Sequence, residues 1–137
     1  MGLIVYTGGT FDVFHAGHVN LLRRCAQLGE VTVALNTDAF IMQYKGSVPV
    51  LNYEERKEVL EACVYVSSVI PNEDGADSKT TILKVKPNII AIGSDWATKD
   101  YYRQMNFTQE WLDEQDISLI YIPYTKGISS TRIKKRL

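Results

Sequence analysis

The fold is decided by the stretch Leu3-Ile-Val-Tyr-Thr-Gly-Gly-Thr-Phe-Asp-Val-Phe-His-Ala-Gly-His18. Its first five residues form an apolar run rich in β-branched side chains, which is typical of a strand buried on both faces. Two glycines end that strand. From His18 to Leu28 apolar residues then recur with helical spacing until Gly29, a suitable helix stop. The stretch therefore predicts a strand, a glycine turn and a helix.

The same alternation continues along the chain. Apolar strands are predicted at 31–35, 65–70, 88–92 and 118–122, and amphipathic helices at 53–63, 80–85, 108–115 and 130–136. This pattern predicts one α/β domain over residues 1–137, a Rossmann-like five-stranded parallel sheet with helices on both faces. Ligands bind such sheets beyond the carboxyl ends of the strands, where strand order reverses. We therefore expect the site in the loops at 8–18, 36–38, 71–79, 93–96 and 123–129.

Composition narrows the classes of partner. The 137 residues carry 15 Lys and Arg against 16 Asp and Glu, a net charge of −1, so no basic field favours nucleic acid. No apolar run reaches transmembrane length and the first residues do not resemble a signal peptide, so we expect no membrane partner and a cytoplasmic location. Cys25 and Cys63 form no C-x-x-C pair, which argues against a zinc site.

The chain has two histidines, His15 and His18, and both lie where the first helix begins. An i, i+3 spacing places the two imidazoles on one side of a helical turn, near the unpaired N–H groups of the helix start. Glycines, a helix start and paired donors together favour a phosphate site. Two alternatives stay open: one histidine caps the helix, or the pair binds a metal with Asp12 as a third ligand.

The segment Gly9-Thr-Phe-Asp-Val-Phe-His-Ala-Gly-His18 resembles the G-T-F-D-x-x-H-x-G-H signature of the cytidylyltransferase family. A second segment, Thr125-Lys-Gly-Ile-Ser-Ser-Thr131, is similar to the late R-T-x-G-I-S-T-T signature of that family, especially of its glycerol-3-phosphate cytidylyltransferases. The resemblance implies transfer of a cytidylyl group from CTP to a phosphorylated small alcohol or sugar, with release of pyrophosphate. It also implies Mg²⁺ accompanying the triphosphate, and a homodimer.

The resemblance implies a role for each matching residue. His15, His18 and Lys45 would act on the phosphates, and Asp12 would support its loop. Arg56 would clasp a phosphate, with an ordinary surface Glu–Arg pair as the alternative. Trp96 and Asp95 would border the base and sugar, with core packing as the alternative for the indole. The other residues expected to bind nucleotide or phosphate are Gly9, Thr10, Phe11, Asp38, Thr125, Gly127, Ile128, Ser129, Ser130 and Thr131. For Ser129, a plain helix cap is an equal reading.

The chain departs from the family pattern at two arginines, which are replaced by Val64 and Tyr124. Neither replacement supplies a charged donor fork, so contacts to the triphosphate or the acceptor should differ. Residues 99–107 are a candidate for reshaping the acceptor pocket. Two other functions stay open. One is an adenylyltransferase using ATP, because Ile128-Ser-Ser-Thr131 also resembles the I-S-S-T motif of adenylyltransferases. The other is a nucleotide-binding module with weakened catalysis. Tyr53 and Tyr65 are expected to be exposed dimer contacts, and the basic C-terminal helix is interpreted as mainly structural.

Overall fold

The computed structural model describes residues 2–73 and 78–137. Within these ranges a parallel sheet has the strand order β3-β2-β1-β4-β5, which confirms the predicted Rossmann-like class. Its strands are β1 Ile4–Gly9, β2 Glu30–Asn36, β3 Ser68–Asn72, β4 Ile89–Gly93 and β5 Ser118–Ile122. Strand β1 pairs with both β2 and β4. Strand order therefore reverses between β1 and β4, so their carboxyl ends form the switch point.

Helices cover both faces of the sheet. They are α1 Ala16–Leu28, α2 Asp38–Lys45, α3 Tyr53–Glu61, α4 Lys79–Val85, α5 Tyr101–Met105, α6 Gln109–Glu114 and α7 Ser130–Arg136, with a 3₁₀ helix at Ser94–Thr98. Because side chains alternate along a strand, Val5 packs with α1 and α3, while Tyr6 packs with α4, α5 and α6. The central residues of both cores are buried.

The prediction of five helices was too few, because three helical segments were interpreted as connections. Helix α2 lies in the connection after β2, where the Thr37 hydroxyl accepts a hydrogen bond from the Phe40 N–H. Gly46 ends α2 in the left-handed conformation, with φ of 70°. Helix α5 occupies most of the predicted insertion at 99–107, and the 3₁₀ helix directly precedes it. Such short helices are specified by caps and packing and have too few residues for clear periodicity.

The third strand is shifted from its predicted place at 65–70 to Ser68–Asn72. Pairing with β2 sets this register, with Thr32 opposite Ser68 and Asn36 opposite Asn72. Pro71 lies inside the strand, which is tolerated because β3 is at the edge of the sheet. Tyr53 and Tyr65, expected to be exposed, are instead partly buried against the core.

Two further expectations from the sequence concern a site loop and the membrane. The predicted site loop at 71–79 includes residues 74–77, which lie outside the described residues. Among the residues that are described, no helix has the length and apolar character needed to cross a membrane.

Candidate active site

A cleft of about 680 Å³ opens at the carboxyl ends of the strands, at the switch point. Its walls come from the β1–α1 loop, the end of α2, the segment from Gly93 to Met105, and the loop before α7. The two distant sequence motifs, centred on His15 and Ser130, therefore face one cavity. This convergence was the main structural expectation from the sequence.

The two histidines form a capping box at the start of α1. The Gly17 N–H donates to Nδ1 of His15 at 3.0 Å, and the His15 N–H donates to Nδ1 of His18 at 3.2 Å. An imidazole nitrogen that accepts a hydrogen bond carries no proton, so each neutral ring has its proton on Nε2. The capping alternative is thus correct for His15, and it leaves both Nε2–H groups as donors for a ligand in the cleft.

The imidazoles of His15 and His18 are stacked, with ring centroids 3.8 Å apart, and both line the cleft. Phe11 and Phe14 flank His18 at centroid distances of 5.2 and 5.5 Å. Burial, and then the neighbouring His15, lower the pKa of His18 to about 3, against a smaller opposing effect of Asp12. Burial also lowers the pKa of His15. In the free protein at neutral pH, both rings are therefore uncharged donors.

Asp12 is a buried hub that joins three parts of the chain. Its carboxylate accepts hydrogen bonds from the Val50 and Leu51 N–H groups at 2.7 and 2.9 Å and pairs with Nζ of Lys134 at 3.0 Å. Burial alone would raise the pKa of Asp12, but these three contacts together lower it. Asp12 therefore supports its loop, as the resemblance implied.

The loop around Asp12 is held in a strained conformation. Phe11 and Val13 have positive φ angles of 50° and 51°, which are costly for residues with a side chain and most of all for a β-branched one. The Ser130 hydroxyl donates to the Asp12 carbonyl at 2.5 Å and helps to hold this loop. This loop leads directly into His15, the N-cap of α1.

The late motif borders the histidines directly. The Ser129 hydroxyl accepts from the Arg132 N–H at 3.1 Å, so Ser129 caps α7. A methyl group added at Gly17 would lie 3.6 Å from Cγ2 of Ile128. The Thr131 hydroxyl lines the cleft and makes no hydrogen bond to any described residue. With the Ser129 and Ser130 hydroxyls committed to the protein, Thr131 is the hydroxyl of the motif most available to a ligand.

The end of α2 forms another wall of the cleft. The Asn36 amide donates to the Thr10 hydroxyl at 3.2 Å, and the Thr10 hydroxyl lies 3.2 Å from that of Tyr44. Lys45 lines the cleft beside these residues, with Nζ 5.6 Å from the centroid of the Tyr44 ring. Lys45 is exposed and forms no ion pair within the described residues, so its charge can turn toward a bound anion.

Arg56 does not hold the position expected of a phosphate ligand. Its side chain is 1% exposed and does not line the cleft. The guanidinium donates to the carbonyls of Leu51, Thr10 and Asn36 and to the Asp38 carboxylate at 2.6 Å. Four of its five donors are therefore committed to the protein. Both expectations for Arg56, a phosphate clasp and a surface pair, were wrong.

Asp38 and Gly127 also lie outside the cleft lining, contrary to expectation. The Asp38 carboxylate holds Arg56 and accepts from the Tyr53 N–H at 3.1 Å, so it joins the starts of α2 and α3. Gly127 has φ of 84°, a conformation that side chains disfavour, and it turns the chain ahead of the capping serine. Both residues position the walls of the cleft.

Asp95 and Trp96 line the cleft, as expected. An added methyl group at Gly93 would lie only 2.7 Å from Oδ1 of Asp95, so a side chain there would make the Asp95 carboxylate shift. Nζ of Lys99 lies 5.0 Å from the Trp96 ring centroid and 3.9 Å from the Asp95 carboxylate. The Trp96 ring also contacts Tyr101 at a centroid distance of 5.6 Å.

Five further residues that were expected to bind nucleotide or phosphate line the cleft. The cleft lining includes Gly9, Thr10, Phe11, Thr125 and Ile128. Sequence reasoning missed Lys134, which lines the cleft although the basic C-terminal helix was interpreted as structural. The missed signal was its position four residues after Ser130, on the same face of α7. It also missed Tyr44, and it did not single out Asn36 within the predicted site loop at 36–38 or Gln104 within the predicted insertion at 99–107.

The two replaced arginines have different surroundings. Val64 is 87% exposed, follows α3, and does not line the cleft. Position 64 therefore lies on the exposed surface, outside the lining of this cleft. Tyr124 does line the cleft, and its N–H donates to the Ser94 hydroxyl at 2.9 Å. The departure that bears on ligand contacts is thus the one at Tyr124.

The sheet order and the histidine turn at its switch point define a Rossmann-like α/β protein with a donor-lined ligand cleft. The chain belongs to the Cytidylyltransferase-like family, whose match spans residues 6–136. A glycerol-3-phosphate cytidylyltransferase of Bacillus subtilis is 37% identical over 134 residues, covering 97% of this chain and 95% of that protein. An FAD synthase of Pyrococcus abyssi is 40% identical over 92 residues, covering 66% of this chain and 62% of that protein.

A solved structure shows the same fold. It is described as a lipopolysaccharide core biosynthesis protein of Thermoplasma volcanium, with a TM-score of 0.72 and 24% sequence identity. The match covers 92% of this chain and 98% of that one.

Proposed function

We propose that this protein transfers a cytidylyl group from CTP to a phosphorylated small alcohol or sugar and releases pyrophosphate. The observation that carries the proposal is the meeting of two imidazole donors and the start of α7 in one cleft, joined by the bond from Ser130 to Asp12. Glycerol-3-phosphate cytidylyltransferases match the chain along nearly their whole length, which supports CTP and a phosphorylated alcohol.

The donors suit a triphosphate. His15 and His18, each with its proton on Nε2, line the cleft together with Lys45 and Lys134. Neutral imidazoles and ammonium groups can hold phosphate oxygens, and their hydrogen bonds strengthen as negative charge develops. The rings are locked by the capping box, so little reorganisation is needed during transfer.

In the proposed reaction, a phosphate oxygen of the acceptor attacks the α-phosphorus of CTP. The new bond joins that oxygen to the α-phosphorus, the bond from the α-phosphorus to the α–β bridging oxygen breaks, and its electron pair leaves with pyrophosphate. Catalysis of this kind depends on positioning and charge stabilisation and needs no covalent enzyme intermediate. We assign the stabilisation of the leaving oxygen to His15 and His18.

A divalent ion is expected to enter with the nucleotide. No group of three potential metal ligands occurs among the described residues. The carboxylate of Asp12 is already occupied by two N–H groups and Lys134. Mg²⁺ is commonly held by substrate phosphates, water and one or two carboxylates, so Asp95 is the protein ligand that the cleft could offer. The charge of the bound Mg²⁺ would help to neutralise the triphosphate.

An adenylyl transfer from ATP is the second candidate, because FAD synthases match two thirds or more of the chain. A homodimer and a cytoplasmic location stay predictions. A nucleotide-binding module with weakened catalysis is the third candidate, motivated by Tyr124 in place of an arginine. Lys134 lines the same cleft, so the cleft still contains a cation although position 124 is a tyrosine.

One assay separates these candidates. The full chain is incubated with Mg²⁺, either CTP or ATP, and one of glycerol 3-phosphate, sorbitol 6-phosphate, phosphoethanolamine or FMN, while pyrophosphate is measured. Pyrophosphate that depends on CTP and a phosphorylated alcohol supports the proposal. Turnover only with ATP and FMN would establish the adenylyl alternative. Saturable CTP binding by calorimetry without pyrophosphate from any pair would establish the binding module.

A further inference from the structure

One end of the cleft, formed where α4 begins and α5 ends, differs chemically from the histidine end. We call it the α5 pocket; its lining residues are Asn72, Ser78, Ile92, Tyr101, Gln104 and Met105. None of these six side chains carries a charge. The cations that line the cleft, Lys45, Lys99 and Lys134, come from other segments, and Lys99 is paired with Asp95. Phosphates should therefore prefer the rest of the cleft.

Most polar groups of the α5 pocket are committed to the protein. The Ser78 hydroxyl donates to the Met105 carbonyl at 2.5 Å, which ties α4 to α5. The Asn72 amide donates to the Asn36 side chain at 2.9 Å and accepts from Thr81 at 3.5 Å. These bonds make the wall rigid and leave little capacity for a ligand.

The Tyr101 hydroxyl and the Gln104 amide are the exceptions; the hydroxyl is buried and has no hydrogen-bond partner within the described residues, which leaves Gln104 as the exposed donor and acceptor. Gln104 lies on α5, it is exposed, and its side-chain amide makes no hydrogen bond to any described residue. A glutamine amide can donate two hydrogen bonds and accept through its oxygen, which matches the donor and acceptor character of a hydroxyl group. The helix that carries Gln104 is fixed by the bond from Ser78 and by the ring contacts of Tyr101 with Trp96 and Phe107.

On the basis of the proposed cytidylyl transfer, we infer that the α5 pocket receives the uncharged, hydroxyl-bearing part of the acceptor and that Gln104 hydrogen-bonds to it. The phosphate of that acceptor then points toward the histidine end, where the donors lie. The substrate class is thus the phosphate ester of a neutral polyol or sugar. A cationic headgroup has no carboxylate partner among the described residues that line this pocket.

The test compares Gln104→Ala with Arg103→Ala, a neighbour on α5 that does not line the cleft. For the preferred polyol phosphate, Gln104→Ala should raise KM about tenfold, the cost of about one lost hydrogen bond. KM for CTP and kcat should stay unchanged, and Arg103→Ala should match the parent in all three constants. Circular dichroism of both variants checks that α5 changes do not unfold the chain.

A normal acceptor KM in folded Gln104→Ala would overturn the inference while leaving cytidylyl transfer intact. Preference of the parent protein for phosphoethanolamine over glycerol 3-phosphate and sorbitol 6-phosphate would also overturn it. Absence of pyrophosphate with every acceptor would instead refute the proposed function itself. A further variant, Gln104→Glu, should weaken use of the polyol phosphates, because it removes both amide donors and adds a charge that repels phosphate.

Discussion

The hydroxyl of Ser130 donates a hydrogen bond of 2.5 Å to the carbonyl oxygen of Asp12, across 118 positions of the chain. The same Asp12 binds Lys134, one turn further along α7, through its carboxylate. These two bonds join the end of the chain to the loop that carries the histidines. The shape of the cleft therefore depends on both motifs. Loss of either bond should disturb the position of the histidine loop relative to α7.

The imidazoles can be removed without removing the capping box. Asparagine caps helix starts well, and glutamine is a normal partner at the third helical position, so His15→Asn and His18→Gln should keep the fold. Each loses an Nε2–H donor, and we expect pyrophosphate release to fall by about 10²-fold or more. Steady-state kinetics and thermal melts measure the two effects. Near-normal turnover in both variants would refute the assigned role.

Gly17→Ala tests the position of the His15 ring. The added methyl group would lie 2.8 Å from Cε1 of His15, which forces the imidazole to move. Alanine has the higher helix propensity, so α1 should not be weakened by the exchange itself. Displacement of the His15 ring should lower turnover by about 10²-fold in a protein that still melts cooperatively. Ala16→Gly, one position earlier, is the control; an active Gly17→Ala protein would show that the ring position is unimportant.

Arg56→Met should act on stability. The variant leaves the Thr10, Asn36 and Leu51 carbonyls without their donor and the Asp38 carboxylate without its partner. We expect the free energy of unfolding in urea to fall by about 3 kcal/mol or more. Lys57→Met, the next position, should change it little. An unchanged unfolding free energy combined with a raised KM for CTP would restore the phosphate-clasp interpretation.

Stability should fall as the pH drops below the ordinary histidine range. The native state lowers the pKa of His18 from 6.5 to about 3, so between these values the unfolded chain binds more protons. The contribution of His18 is therefore complete above about pH 6.5 and is lost progressively toward pH 3. Asp12, whose pKa is lowered from 3.8, adds its own loss only in more acidic solution. Urea unfolding at pH 7.5, 5.5 and 4.5 should show a steeper decline for the parent than for His18→Gln; equal slopes would contradict it.

Tyr6→Phe should stabilise the protein. The Tyr6 side chain is fully buried, and its hydroxyl has no hydrogen-bond partner within the described ranges. Removing an unpaired buried hydroxyl while keeping the ring should increase the free energy of unfolding by about 1 kcal/mol. Urea denaturation measures the change, with Tyr121→Phe, at an exposed position, as the control. A loss of stability would mean that the Tyr6 hydroxyl does have a partner.

Local pattern was enough to predict much of the fold. The run from Leu3 to Thr7, the glycine turn and the helical periodicity after His18 each depend on neighbouring residues, so they identify the first unit. The predicted helix at 130–136 agrees with α7 Ser130–Arg136. The short helices α2 and α5 were not predicted, because their boundaries depend on single caps and on packing against distant strands.

The sequence by itself determined the class of fold, the pairing of His15 with His18, and the existence of a second motif near the end of the chain. Only the tertiary structure decided how these parts meet. It placed Arg56 in the interior and Lys134 at the cleft, because the direction of a side chain depends on which distant carbonyls and carboxylates lie within reach. Periodicity encodes the face that a residue occupies on its own element, whereas the contact across 118 positions exists only once the sheet has brought the two loops together.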